Sequence, residues 1–81
     1  MKISVEISMY PLLEEFGTPI LEFIENLKRH DSLQVKSNSM STQIFGEYGT
    51  VMAILKSEME KVFLTEDTVV MVVKFVNKNL I

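Results

Sequence analysis

The side chains with the most capacity for chemistry fall in one short run, Ser41-Thr42-Gln43, joined by Glu6 and Ser8 from the start of the chain. Hydroxyls, a carboxamide and a carboxylate both donate and accept hydrogen bonds, so the five suit recognition of a small polar ligand, with Glu6 as the anionic partner of a cationic one. The same hydroxyls also fit an ordinary strand end beside a helix start. Catalysis finds less support. The single histidine, His30, falls at the end of a predicted helix, where a surface residue complementing the dipole is expected. No acid–base pair stands out, so the protein is expected not to be an enzyme.

Other chemistries are excluded by what the chain lacks. It has no cysteine, which removes disulfides, zinc–thiolate sites, iron–sulfur clusters and thiol nucleophiles. No His or Cys cluster has metal-ligand spacing. Gly46 and Gly49 make no phosphate-binding fingerprint, and Leu12 to Gly17 contains no arginine cradle, only Glu14 and Glu15, which repel phosphate. A formal charge of −3 gives nucleic acid nothing to bind. No run approaches the roughly 20 apolar residues of a membrane span. A cytoplasmic protein with no cofactor and no membrane partner is expected, its 81 residues forming one domain over 1–81.

The elements that position these residues are legible in the periodicity. Lys2 to Tyr10 alternates, with Ile3, Val5, Ile7 and Met9 on one face and Ser4, Glu6, Ser8 and Tyr10 on the other. Pro11 is expected to end this strand. Thr18-Pro19 is expected to cap a helix whose stripe is Ile20, Phe23, Ile24 and Leu27. Leu33 to Ser37 forms a short second strand, and Ser37-Asn38-Ser39 turns into a third, Met40 to Phe45. Gly46 is expected to act as a hinge through its backbone freedom, with Glu47 opening the next helix. That helix runs from about Tyr48 to Phe63, striped by Met52, Leu55, Met59 and Val62. Thr68 to Val76 is apolar on both faces and needs cover on both. The order βαββαβ predicts an α+β, ferredoxin-like fold: a four-stranded antiparallel sheet with two helices on one face.

The open sheet face then carries Phe45, Val70 and Val72 among Ser4, Glu6, Ser8, Ser41, Gln43 and Lys74. Glu6 there is expected to pair with Lys74 or to hydrogen-bond hydroxyls. A mixed face of this kind predicts self-association through the sheet into a dimer or tetramer.

Val5-x-Ile-Ser-x-Tyr-Pro11, Asn38-x-Met-Ser-Thr-x-Ile-x-Gly-Glu47, Val51-Met52 and Val72-Val-Lys74 together resemble the small thiamine-binding protein family, the YkoF-like group. Members of that group often carry Gly-Thr-x-Ile-Glu-Gly at the third strand; here Ser41 stands for the glycine and Phe45 for the glutamate. The resemblance implies a self-associating ferredoxin-like domain that binds thiamine or its hydroxymethylpyrimidine moiety without catalysis. Ser41 and Thr42 would then supply hydroxyls, Glu6 the anion, and Ser8 and Gln43 secondary contacts. The competing reading is a structural or regulatory assembly module with no small-molecule ligand.

Overall fold

The structure, a computed structural model, describes every residue except Leu13, Glu14 and Phe16. Six elements follow in the expected order: β1 (Lys2–Pro11), α1 (Gly17–Lys28), β2 (Gln34–Ser37), β3 (Thr42–Glu47), α2 (Tyr48–Thr65) and β4 (Val69–Val76). All pairings are antiparallel and the sheet order is β2-β3-β1-β4, the ferredoxin-like arrangement. The alternation of β1 decides the layering. Ile3, Val5, Ile7 and Met9 are buried with Ile44, Phe23, Leu27, Val51 and Leu55 in one core between sheet and helices. No described helix is long and apolar enough to cross a membrane.

The strand β1 does end at Pro11, which is its last residue and stands opposite Val69. Several local expectations are corrected. Helix α1 opens at Gly17, so Thr18 already lies in its first turn, and the Thr18 hydroxyl donates to Glu15 Oε1 at 3.3 Å instead of accepting from the helix. The expected capping contribution of Thr18 is therefore withdrawn. Glu47 does stand at the N-cap of α2, but its carboxylate makes no capping bond and accepts from the Met1 ammonium at 3.0 Å. Gly46 needs no unusual backbone angle. Its smallness is what matters, because an added Cβ would sit 3.2 Å from Val51 Cγ2 and 3.4 Å from Leu33 Cδ2.

The buried seam of α2 is Val51, Leu55, Glu58 and Val62, with Met52 exposed. A carboxylate thus occupies a core position of an apolar stripe. His30, expected at the surface, is its partner: Nε2 donates to Glu58 Oε2 at 2.9 Å. Lys61 Nζ lies 3.4 Å from the same oxygen and 3.2 Å from Oε1, the latter without hydrogen-bond geometry. Burial works against the charge, but the His30 and Lys61 hydrogen bonds and charges outweigh it and hold the Glu58 carboxyl below its ordinary value of 4.5.

The far side of the sheet is partly covered by the chain's own tail. Ser4 Oγ donates to Lys78 O at 2.6 Å and accepts from Leu80 N at 2.9 Å. Phe45, expected to be exposed there, is buried. Tyr10, Val70 and Val72 on the same face stay about half exposed, at 53%, 46% and 50%.

Candidate ligand site at the open end of the sheet

The third strand begins two residues later than its pattern predicts, and this opens the site. β1 pairs with β3 only as far as Ile7 opposite Thr42, yet continues beside β4 to Pro11. From Ser8 onward, β1 therefore has a neighbour on one side only. Asn38 causes the break. Its Oδ1 accepts from the N–H of Met40 at 2.8 Å and of Ser41 at 3.0 Å, while its own N–H donates to Ser41 O at 3.1 Å. The side chain mimics a backbone turn, as asparagine does between strands, and the turn peels away from β1.

The resulting notch widens into a cavity of about 410 Å³. Ile7, Met9 and Thr42 form its floor, Ile20, Phe23 and Ile24 of α1 its roof, and Tyr10, Leu12 and the Asn38–Ser41 turn its rim. The size falls in the range of small-molecule sites, and the lining is of the usual kind, apolar walls with a few polar groups. Thr42 is buried, and among the described residues its hydroxyl has no hydrogen-bond partner. A β-branched residue suits this strand position, and only its oxygen breaks the apolar floor.

The five residues singled out from sequence do not share one pocket. Ser8, Ser41 and Thr42 line this cavity. Glu6 and Gln43 line a second one, of about 310 Å³, on the open face with Ser4, Phe45, Lys74 and Leu80. Alternation turns only Thr42 away from the rest. Ser8 and Ser41 share a face with Glu6 and Gln43, and border the first cavity because they stand beyond the last β1–β3 pair, Ile7 opposite Thr42. Ser41 touches both sites: its hydroxyl donates to Glu6 Oε2 at 3.0 Å, while Lys74 Nζ lies 3.6 Å from Glu6 Oε1. Both expectations for Glu6, pairing with Lys74 and bonding to a hydroxyl, thus hold together. The sequence reading did not foresee that Asn38 ends the ladder or that α1 supplies a roof. An asparagine directly after a strand was the available signal for the first.

Fold and cavity together define a small ferredoxin-like domain whose sheet is open at one end. No family model matches the chain, and no curated protein matches it significantly. Solved structures do resemble it. A hypothetical protein from Methanocaldococcus jannascii has a TM-score of 0.81 at 26% identity, over 96% of this chain and 81% of that one. A protein from Streptococcus pneumoniae has a TM-score of 0.87 at 24% identity, over 99% and 90%. A candidate thiamine biosynthesis/salvage protein from Thermotoga maritima has a TM-score of 0.85 at 19% identity, over 96% and 85%. What this chain shares with them is the fold.

Proposed function

We propose that the chain is a non-catalytic binding protein for thiamine or its hydroxymethylpyrimidine moiety, acting as a homo-oligomer. The observation that carries the reading is the apolar cavity with the Thr42 hydroxyl in its floor. A flat pyrimidine ring gains from burial against Phe23 and Ile24, and its ring nitrogens accept from a hydroxyl. The Thermotoga maritima neighbour supports the ligand class, as does the Asn38–Glu47 motif. Glu6 serves from the second cavity as the negative charge nearest Ser41, suited to balancing a thiazolium, with Ser8 and Gln43 as further polar contacts. Calorimetry with thiamine and with the free hydroxymethylpyrimidine tests the reading. Saturable binding of at least one is expected; no heat from either at millimolar concentration retires it.

The uncovered apolar surface of Tyr10, Val70 and Val72 supports the oligomer, and by itself also suits an assembly module without ligand. Val72→Asp is expected to lower the mass seen by light scattering, because stacking would bury an unpaired charge. An unchanged mass with an intact fold would count against association through this face.

A further inference from the structure

We propose that the main-chain N–H and C=O of Met9 form the edge that reads the ligand, and that they select a nitrogen heteroaromatic carrying an amino group beside a ring nitrogen. The inference rests on the function proposed above and assigns its recognition to the backbone.

The register supplies the argument. Along an antiparallel strand with two neighbours, each residue directs both of its main-chain groups to one side, and successive residues alternate. Leu12 N–H donates to Thr68 O at 3.0 Å, which places Leu12, Tyr10 and Ser8 on the β4 side. Met9 then faces the other way, as Ile7 does toward Thr42. Continued by one more pair, the ladder would set Met9 against Met40. The Met40 N–H instead donates to Asn38 Oδ1. Among the described residues, the Met9 main-chain groups on that side have no main-chain partner, and Met9 is one of the residues that line the cavity.

Main-chain groups held away from bulk water demand a partner, from solvent or ligand. A donor and an acceptor side by side on one strand edge match a molecule presenting an acceptor and a donor side by side. An aminopyrimidine offers that pair as its ring nitrogen and exocyclic amine. An added peptide strand fits less well. The next residue facing the notch is Pro11, which has no N–H to continue a ladder, and α1 closes the space above. The placement of Pro11 has the same cause: proline is tolerated where its missing N–H faces no partner strand.

Amide exchange followed by NMR tests the proposal. In the ligand-free protein, Met9 N–H should exchange much faster than Ile7 N–H. Saturation with 4-amino-5-hydroxymethyl-2-methylpyrimidine should slow Met9 exchange about tenfold or more, and the analogue lacking the amine should bind about tenfold more weakly, as loss of one buried hydrogen bond implies. Met9 protected like Ile7 without ligand would overturn the proposal. So would a ligand that shifts the Thr42 and Phe23 signals but leaves Met9 unaltered, an outcome under which the binding function stands. If no signal moves at millimolar pyrimidine or thiamine, both the inference and the proposed function fall.

Discussion

A chain carrying both His30→Ala and Lys61→Ala is expected to lose about 3 kcal/mol of stability at neutral pH, the usual cost of stranding a buried charge. Glu58 lies in the core seam of α2, and its two partners are far more exposed than it is: the side chains of His30, Lys61 and Glu58 are 36%, 63% and 4% exposed. The asymmetry decides which substitution hurts. Removing the partners leaves the carboxylate in place without compensation, whereas Glu58→Gln in the same background removes the charge and should recover most of the loss. The pH dependence carries a sign. In the unaltered protein the carboxyl is held below 4.5, so its contribution is present above that value and lost as pH falls through the lowered one. In the doubly substituted chain only burial remains, the folded carboxyl rises above the unfolded value, and acid relieves the penalty. The stability gap between the two proteins should therefore be widest near neutrality and close as the pH falls through the lowered folded-state value of Glu58. Urea midpoints measured at a fixed oligomeric state check this; a gap independent of pH would show that Glu58 is not the residue responsible.

The second large effect concerns binding. Thr42→Val is expected to weaken thiamine or its pyrimidine by about 1–3 kcal/mol, the range for a buried polar group left unpaired. Valine fits the same strand position and keeps the apolar floor, so the unfolding midpoint should not fall. Ser41→Ala should cost less, since the Ser41 hydroxyl is already engaged with Glu6 at 3.0 Å. Calorimetry on the two single variants separates them. A larger loss from Ser41→Ala would show that Thr42 is not the main polar contact of the ligand.

How much of this could be read from the sequence depended on whether a residue's role was periodic or contingent. The alternation of Ile3, Val5, Ile7 and Met9 and the stripe of Phe23, Ile24 and Leu27 each bury as their spacing requires, and together they define the layers. Single-residue assignments fared worse. Gly46 was read for its backbone freedom, when neighbours from α2 and the segment before β2 crowd the space a side chain would need. Glu58 drew no attention, because a carboxylate on a helix normally marks the wet face, and its partner lies 28 residues away. Of the site, the hydroxyl run was visible. The cavity was not, since it arises where two strands cease to pair, and no pattern within either strand records the length of the other.

The pairing of β1 with β4 also constrains the order in which this protein can be built. Of the four strands in the sheet, β1 leaves the ribosome before the others and β4 after them, and Ser4 pairs with Val76. While β3 is already at hand, one edge of β1 stays vacant until β4 has emerged. The late arrival, Val-Val-Met-Val-Val-Lys-Phe-Val over Val69–Val76, holds a single charge to discourage wrong partners. Nascent chains on a crowded polysome thus expose a vacant edge and a strand able to fill it in trans. Prompt emergence of β4 after β1 is then the guard against pairing in trans, a hazard that native stability does not address.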